Sequence, residues 1–239
     1  MAKLGFNRLG SFGRHGNQMF QVASIYGIAK KTGHTAHANL NDSTLKDCFE
    51  MDGVVDEIIH PDGVYPENGF SFNEQTFTFP NDVSIDCMGY FQTEKYFKHC
   101  EEEIRNQFRF KEEVVNECND IIKECFDNPI ALHIRRGDFL INSGNHYNQS
   151  LVYYEKALSK FNSKRQIVIF SDDPQWCVEQ KLFESDRFIV SSGNDPYTDL
   201  YLMTQCSDFI IANSTFSWWG AWLANKGRVI APKKWFGPN

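Results

Sequence analysis

The chain has 239 residues, of which 41% are hydrophobic and 15% aromatic, and its formal net charge is −7. This apolar content excludes a disordered chain and suffices for the core of one large domain or two modest ones. No run rich in Lys and Arg stands out, so no nucleic-acid partner is expected, because nucleic-acid binding requires a basic surface.

The cysteines and the apolar segments indicate the cellular compartment in which the protein is expected. The seven cysteines are irregularly spaced and form no C-x-x-C pair, so neither a zinc site nor a redox site is indicated. Reduced thiols are typical of cytoplasmic proteins. The first nine residues are too few and too polar for a signal sequence, and the longest apolar runs are far shorter than a membrane span. We therefore expect a soluble, cytoplasmic protein.

The first half of the chain opens with a predicted strand at residues 3–8. A glycine-rich turn leads into a predicted helix at residues 17–31, with Gly33 as its C-cap. Residues 53–86 are rich in Pro, Gly and Asn and are predicted to form loops and short strands. The polar helices predicted next, on an outer face or between two halves, cover residues 94–108 and 112–126.

In the second half, from residue 128 onward, strand-like and helix-like hydrophobic periods alternate regularly. The predicted strands cover residues 129–134, 166–170, 187–190, 208–212 and 228–231. The predicted helices cover residues 150–161, 174–182, 197–206 and 215–224. This alternation predicts an α/β fold with a parallel sheet, and it predicts ligands at the carboxyl ends of the strands.

The first candidate binding loop is Gly13-Arg-His-Gly-Asn-Gln18, between the first strand and the first helix. Backbone amides at a helix start carry partial positive charge, and glycine lets an anion approach them closely. Arg14 could add a forked hydrogen-bond donor, and Asn17 could add an amide. An ordinary strand–helix turn explains the same residues. The loop is not a P-loop, because no G-K-[ST] follows.

The second candidate loop is His133-Ile-Arg-Arg-Gly-Asp138, directly after a hydrophobic strand. Side chains alternate along a strand, so His133 and Arg135 are predicted to face one way and Arg136 the other. A planar guanidinium can bind two phosphate oxygens at once, which makes Arg135 the candidate phosphate ligand. The alternative is a salt-bridge cluster, which we expect for Arg136, paired with Asp138, but not for Arg135.

The third candidate loop is Asn213-Ser-Thr-Phe-Ser-Trp-Trp219, again at a strand end that opens a helix. Ser214 or Thr215 is predicted to cap this helix, and the same hydroxyls and amides can hold a phosphate. The three tryptophans of the helix are predicted to pack it rather than to stack on a substrate.

A fourth strand end carries Phe170-Ser-Asp-Asp173. Asp172 or Asp173 is predicted to cap the helix that starts at Pro174, and a metal site is the alternative. No D-x-D pattern of the sugar-nucleotide type occurs. We therefore expect no metal.

Taken in chain order, these segments resemble the α-1,2-fucosyltransferases of bacterial type. The resemblance covers residues 13–235. His-x-Arg-Arg-Gly-Asp and Ser-Thr-Phe-Ser-Trp-Trp are its most specific parts. The segments that carry it are residues 13–18, 133–138, 202–209 (Leu-Met-Thr-Gln-Cys-Ser-Asp-Phe) and 213–220.

The resemblance implies a GT-B-like α/β fold of two Rossmann-like halves, with the sugar-donor site in the cleft and mainly on the C-terminal half. Residues 1–110 would form an acceptor-side region and residues 111–239 a GDP-fucose-binding domain. The implied reaction moves L-fucose from GDP-fucose to a hydroxyl, expected to be O2, of a terminal galactose in a glycan. It would proceed with inversion and without a metal or other cofactor. Any membrane contact is expected to be peripheral, through a lipid-linked acceptor only.

The resemblance also assigns roles to single residues. It places Arg135 at the β-phosphate, His133 near the nucleoside and Asp199 at the guanine. The further residues expected to bind the substrate are Arg14, Gly16, Asn17, Gln18, Arg136, Asp172, Asn213, Ser214, Thr215 and Phe216.

The catalytic base is a separate question, because an inverting attack requires the acceptor hydroxyl to lose a proton. Asp138 is close in sequence to the phosphate arginine and is the candidate base, alongside Arg135 as the other catalytic residue. A purely structural role for Asp138, bracing Arg136 or the turn, is an equal alternative. His146 and Asp172 are weaker candidates for the base.

The sequence departs from the family pattern at two places. Members usually carry two glycines where Arg14 and His15 stand, and they commonly continue beyond residue 239 with another segment. Two other functions stay open. The loop at residues 13–18 is similar to that of protein O-fucosyltransferases, and a non-catalytic GDP-sugar-binding protein could keep the same phosphate ligands.

Overall fold

Each half of the chain forms a parallel β-sheet with helices packed against it. The computed structural model describes residues 1–125 and 128–237. The chain divides into two compact units, Met1–Lys111 and Glu112–Asn239. The predicted α/β fold class with two Rossmann-like halves is confirmed. The end of the predicted helix at Phe126 and the last two residues, Pro238 and Asn239, lie outside the described residues.

The N-terminal unit has its first strand in the middle of the sheet. The strand order is β3-β2-β1-β5-β4, and the four strand pairs are parallel. The strands are β1 (Lys3–Phe6), β2 (Thr35–Ala38), β3 (Val55–Asp56), β4 (Gly63–Pro66) and β5 (Ile85–Met88). The α-helices are α1 (His15–Thr32), α2 (Leu45–Cys48) and α3 (Glu101–Gln107). Short 3-10 turns cover Leu40–Asp42, Glu74–Thr78, Glu94–Tyr96 and Lys98–Cys100.

Helix α1 is the central helix of this unit and is buried on most of its surface. Gly27 lets the backbone at Tyr96 approach it, since a Cβ at Gly27 would collide with the Tyr96 carbonyl oxygen. The helix ends at Gly33, whose φ of 77° is left-handed, so the predicted glycine C-cap is confirmed.

The segment predicted as one polar helix at residues 94–108 is different in the structure. It forms two 3-10 turns followed by the short helix α3. Tyr96 and Phe97 are both fully buried, and Cys100 is 1% exposed. This segment is therefore anchored in the core of the N-terminal unit and does not form the exposed polar helix that its composition predicts.

The C-terminal unit repeats the parallel arrangement with β6 in the middle. The strand order is β10-β9-β6-β7-β8, again with parallel pairs. The strands are β6 (Ile130–Ile134), β7 (Ile167–Ser171), β8 (Phe188–Val190), β9 (Asp208–Ile210) and β10 (Val229–Ile230). The helices are α4 (Glu112–Cys125), α5 (Gly137–Ile141), α6 (Leu151–Leu158), α7 (Pro174–Val178), α8 (Pro196–Gln205) and α9 (Thr215–Ala224).

Both faces of the C-terminal sheet are covered, so its central strands are apolar throughout. Leu132 and Ile169 contribute to the core on one face, while Ala131, Val168 and Phe170 contribute to the core on the other. This burial explains the continuous apolar runs in the sequence. Among the described helices, none is long and apolar enough to cross a membrane.

Both sheets reverse their strand order at one point. In the N-terminal unit, β1 leads to β2 on one side, and β5 adds to its other side. In the C-terminal unit, β6 has β7 on one side and β9 on the other. The connections diverge at the carboxyl ends of such a strand and leave a crevice where ligands bind in open α/β sheets.

Candidate active site

The loop after β6 holds Arg135 in a double ion pair. The Nη2 atom of Arg135 lies 2.6 Å from Asp138 Oδ1, and its Nη1 atom lies 3.1 Å from Asp172 Oδ2. Asp138 belongs to α5 and Asp172 directly follows β7, so adjacent strand ends bring these groups together. The Arg135 side chain is 14% exposed and that of Asp138 is 39% exposed. The carboxyl edge of the sheet therefore carries a fixed guanidinium with one of its partners toward solvent.

The predicted ion pair between Arg136 and Asp138 is wrong, and so is the expectation that Arg135 lies outside a salt-bridge cluster. Asp138 lies on the first turn of α5, three residues after Arg135, and reaches back to that arginine. Arg136 instead places its Nε atom 2.9 Å from Asp173 Oδ2, and its guanidinium lies 3.8 Å from the ring centroid of Trp176. Arg136 is thus held by the start of α7, and the two arginines have separate partners.

Gly137 makes room for the second carboxylate. A Cβ atom at this position would overlap the Asp172 carboxylate. The other oxygen of that carboxylate, Oδ1, accepts a hydrogen bond of 2.9 Å from the Arg136 amide. The glycine of the motif is therefore needed for Asp172 to reach Arg135.

The two aspartates at the end of β7 have different partners. Asp173 is the N-cap of α7, and its Oδ1 accepts a hydrogen bond of 3.3 Å from the Trp176 amide, which confirms the predicted cap at this position. Asp172 makes no cap bond to this helix and binds Arg135. Within residues 1–125 and 128–237, no group of three or more His, Cys, Asp or Glu side chains is arranged to hold a metal ion.

His133, the predicted nucleoside contact, lies inside the sheet edge. It is 4% exposed, and within the described part of the chain its Nδ1 atom has no hydrogen-bond partner. Burial, and then the charge of Arg135, lower its pKa to about 3, so the imidazole is neutral near pH 7. Its ring lies 5.4 Å from that of Phe216, which stands on the first turn of α9. The two rings join the loops after β6 and β9.

His146, a weaker candidate for the base, stacks on Phe139 of α5. The ring centroids are 4.1 Å apart and the planes differ by 5°. Burial lowers the pKa of His146, and the nearby Asp138 carboxylate opposes that shift. His146 therefore belongs to the same group of side chains as Arg135 and Asp138.

The loop after β9 is anchored by Asn213. Its Nδ2 donates to the Trp235 carbonyl at 2.7 Å, and its Oδ1 accepts from Gln149 at 3.1 Å. Ser214 occupies the N-cap position of α9, but its side chain makes no cap hydrogen bond, so a capping role for the Ser214 hydroxyl is wrong. In the helix that follows, the packing interpretation is confirmed for Trp219, which is fully buried, whereas Trp218 and Trp222 are half-buried and stack on each other.

Asp199 lies on the first turn of α8, near the end of β8. Its Oδ1 accepts hydrogen bonds from Ser191 Oγ at 2.6 Å and from Asn194 Nδ2 at 3.2 Å. Burial raises the pKa of this carboxyl, and those two hydrogen bonds oppose the rise. Asp199 is thus a positioned carboxylate, and its contact with guanine remains a prediction from the family resemblance.

The candidate loop of the N-terminal unit surrounds Asn17. Gly13 has a φ of 82°, and a Cβ there would overlap the Asn17 amide group. Asn17 Oδ1 accepts a hydrogen bond of 2.9 Å from Gln92 Nε2. Helix α1 begins two residues earlier than predicted, so the Asn17 backbone amide donates to the Arg14 carbonyl rather than pointing outward as a ligand for an anion.

The other predicted residues of that loop differ in exposure. Arg14 is exposed, whereas Gly16 and Gln18 are buried. Gln18 Oε1 accepts a hydrogen bond of 2.9 Å from Ser43 Oγ and so joins α1 to the segment before α2. The contacts of all four loop residues with substrate remain predictions.

Comparison with known proteins identifies the family. The family model described as glycosyl transferase family 11 matches residues 2–237. The chain belongs to this family. Glycosyltransfer is therefore its class of reaction, and the resemblance to the α-1,2-fucosyltransferases is confirmed.

Two relatives from Escherichia coli and one from rat illustrate the range of the family. The O-antigen biosynthesis glycosyltransferase WbnK is 29% identical over 94% of this chain and 93% of its own length. An α-1,2-colitosyltransferase is 35% identical over 64% of this chain and 57% of its own length. The galactoside α-(1,2)-fucosyltransferase 1 of Rattus norvegicus is 26% identical over 91% of this chain and 63% of its own length.

Solved structures of fucosyltransferases share the fold. The crystal structure of NodZ α-1,6-fucosyltransferase soaked with GDP-fucose has a TM-score of 0.63 and 14% identity, over 97% of this chain and 95% of that chain. NodZ in a related crystal structure is from Bradyrhizobium. POFUT1 in complex with GDP has a TM-score of 0.58 and 14% identity, over 98% of this chain and 99% of that chain. The predicted GT-B-like fold is confirmed.

Three residues of the C-terminal site were missed in the sequence. Phe139, Trp176 and Gln149 stack on or bond to predicted site residues. Trp176 could have been found from the predicted cap. It stands three residues after Asp173, at the position whose backbone amide donates the capping hydrogen bond. No local pattern marks Gln149, which reaches Asn213 across 64 residues.

Proposed function

We propose that this glycosyltransferase moves L-fucose from GDP-fucose to O2 of a terminal galactose in a glycan, with inversion and without a metal. The observation that carries the proposal is the Arg135 guanidinium at the carboxyl end of β6, next to the point where the strand order reverses. Relatives named as α-(1,2)-fucosyltransferases and galactoside 2-α-L-fucosyltransferases support the sugar, the linkage and the acceptor.

The departing GDP develops negative charge at its β-phosphate, and fixed cations stabilise such charge without reorganising. In the proposal, Asp172 keeps Arg135 oriented from the more enclosed side, and a phosphate oxygen takes the side on which Asp138 now lies. The exposures support this division, because the side chain of Asp172 is 20% exposed and that of Asp138 is 39% exposed. Replacement of Asp138 by a phosphate oxygen, on the exposed side of Arg135, requires less rearrangement than replacement of Asp172.

The nucleoside is assigned to His133, Phe216 and Asp199. The buried, neutral imidazole of His133 supports the half-buried ring of Phe216 without adding charge, and Phe216 offers the surface for a ribose or base. Guanine presents two adjacent N–H groups on one edge, and a carboxylate such as Asp199 accepts both, whereas adenine lacks that pair. Contacts from Arg14 and Asn17 to the donor sugar nucleotide rest on the family resemblance.

Asp138 is the proposed base. Once a phosphate oxygen replaces it at Arg135, its carboxylate is available to take the proton of the attacking galactose hydroxyl. The new bond forms between that oxygen and fucose C1, the bond from C1 to the β-phosphate oxygen breaks, and GDP leaves with the electron pair. A single displacement of this kind inverts the anomeric centre.

A second donor is favoured by one observation. The α-1,2-colitosyltransferase is 35% identical to this chain, a higher identity than that of the galactoside fucosyltransferases reported above. Colitose is fucose without its 3-hydroxyl group, so the same site could accept GDP-colitose. A protein acceptor is the other alternative, because the loop at residues 13–18 is similar to that of protein O-fucosyltransferases.

The test is a donor and acceptor screen with linkage analysis of the product. The protein is incubated with GDP-fucose or GDP-colitose, with methyl β-galactoside or a Ser/Thr peptide, in the presence or absence of EDTA. The proposal predicts an α-1,2-fucosyl galactoside whose rate EDTA leaves unchanged. Exclusive use of GDP-colitose would instead identify a colitosyltransferase, and a peptide product would identify a protein O-fucosyltransferase. Tight GDP binding without transfer would identify a non-catalytic GDP-sugar-binding protein.

A further inference from the structure

Four aromatic side chains of the N-terminal unit form a row from the core to the surface. We call Phe6, Phe12, Tyr90 and Phe70 the aromatic row. Successive ring centroids are 6.4, 6.1 and 5.8 Å apart. Exposure rises along the row, from a fully buried Phe6 to Phe70, which is 51% exposed. The outer rings thus present connected apolar surface to water, a feature that marks ligand-binding grooves in other proteins.

The outer part of the row stands where a parallel sheet binds ligands. Phe12 lies in the loop after β1, and Tyr90 lies in the loop after β5, which is the neighbour of β1 on the side where the strand order reverses. Near these loops, Gln92 Nε2 of the loop after β5 donates a hydrogen bond of 2.9 Å to Asn17 Oδ1 on the first turn of α1.

Two polar side chains, the half-buried Glu67 and the buried Gln21, hold the backbone of the loops that carry the rings. The Glu67 carboxylate accepts hydrogen bonds from the backbone amides of Tyr90 at 2.7 Å and Phe91 at 2.9 Å. Gln21 is fully buried, and its Nε2 donates to the carbonyl oxygens of Phe12 at 2.9 Å and Gly89 at 3.0 Å. One side chain therefore joins the loops after β1 and β5. The aromatic row is preorganised, so little ordering is required when a ligand binds.

We infer that Phe12, Tyr90 and Phe70 bind the galactose of the acceptor glycan. This inference rests on the proposed function. The C–H groups on one face of a galactose ring form an apolar patch that packs on aromatic rings, while its hydroxyls remain free to hydrogen-bond. The Tyr90 hydroxyl, which has no hydrogen-bond partner in the described part of the chain, can bond to one of those hydroxyls. A neutral sugar also suits a row that contains no charged side chain.

The test compares steady-state kinetics of Phe70→Ala and Tyr90→Ala with those of the wild type. We expect the KM for methyl β-galactoside to rise about tenfold and the KM for GDP-fucose to stay within about twofold. Phe70→Trp should restore the acceptor KM, because another aromatic ring offers the same face. Val55→Ala is the matched control, since Val55 is 49% exposed on β3 at the far edge of the same sheet. It should leave both constants unchanged.

Saturation-transfer NMR with methyl β-galactoside and GDP separates this inference from the proposed function. If the wild type transfers fucose and both alanine variants keep its acceptor KM, the row is only the outer end of the core and the inference is wrong. If the wild type transfers no fucose, the proposed function fails, and the NMR experiment tests the aromatic row separately. Galactoside binding that is lost in Phe70→Ala supports galactose binding by the aromatic row. Absence of galactoside binding to the wild type overturns the inference.

Discussion

The two sheets carry different chemistry at the same point of their topology. In the C-terminal unit, the carboxyl ends of β6 and β7 and the segments that follow them bring together a guanidinium, carboxylates and a neutral histidine. In the N-terminal unit, the corresponding loops after β1 and β5 bring together aromatic rings and side-chain amides. The former group suits an anion, and the latter suits a neutral molecule with an apolar face.

This difference shows what the fold decides and what the side chains decide. The reversal of strand order fixes where a ligand can bind in each unit. The residues that follow the strands then select the ligand, since a fixed cation stabilises developing charge and aromatic rings pack on a sugar. Substitutions that alter one region and spare the other therefore test the comparison.

The largest effect is expected from Arg135→Ala. Each charge-assisted hydrogen bond contributes about 1.5–3 kcal/mol, so losing two should lower kcat/KM for GDP-fucose by about 10²–10⁴-fold. Arg165→Ala is the matched control. Arg165 is also paired with an aspartate, Asp208, and is 21% exposed, but it precedes β7 at the opposite edge of the sheet. Its loss should reduce thermal stability and leave kcat/KM within about threefold. Equal losses in the two variants would contradict the special role of Arg135.

A smaller effect is expected from Gly137→Ala. The added methyl group would displace the Asp172 carboxylate, so Arg135 would lose one of its two partners. We expect kcat/KM to fall by roughly 10–100-fold, the equivalent of one charge-assisted hydrogen bond, with no change in the melting temperature above a few degrees. In Gly63→Ala, by contrast, the new Cβ has no atom within 4 Å, so that variant should behave as the wild type.

The smallest effect concerns Asp199 and is visible in the pH dependence of nucleotide binding. Guanine requires the ionised carboxylate, and burial raises the pKa of Asp199, so proton uptake competes with GDP from a higher pH than for an ordinary aspartate. Calorimetric titrations should therefore show GDP affinity falling as the pH is lowered through that raised pKa. Asp199→Asn should bind GDP about tenfold more weakly at neutral pH and lose this pH dependence. An unchanged GDP affinity in Asp199→Asn would remove the guanine assignment.

The C-terminal unit could be predicted from the sequence to within a few residues. Its strands are buried on both faces and so appear as apolar runs, as with the predicted 129–134 and the observed Ile130–Ile134. The secondary structure of the N-terminal unit was harder to predict from the sequence. Strand β2 consists of Thr35–Ala38, a short stretch with a buried histidine, His37, that gives no strand pattern. Tertiary packing, not local preference, makes it a strand.

The candidate site shows the same division between local and distant information. The motif at residues 133–138 marked Arg135, but local spacing assigned Asp138 to the wrong arginine. The partners of the two arginines include Asp172 and Asp173, which directly follow the neighbouring strand β7 and are distant in sequence. The aromatic row was not predicted at all, because its outer rings come from three separate loops. Chain folding alone brings them together.

A crystal structure of the protein with GDP would decide whether Arg135 binds the diphosphate. We expect a β-phosphate oxygen to lie about 3 Å from the Arg135 guanidinium. Asp172 should still pair with Arg135, and the Asp138 carboxylate should have moved away from Nη2. If Arg135 remains paired with both aspartates and no phosphate oxygen lies within hydrogen-bond distance of it, Arg135 is not the phosphate ligand.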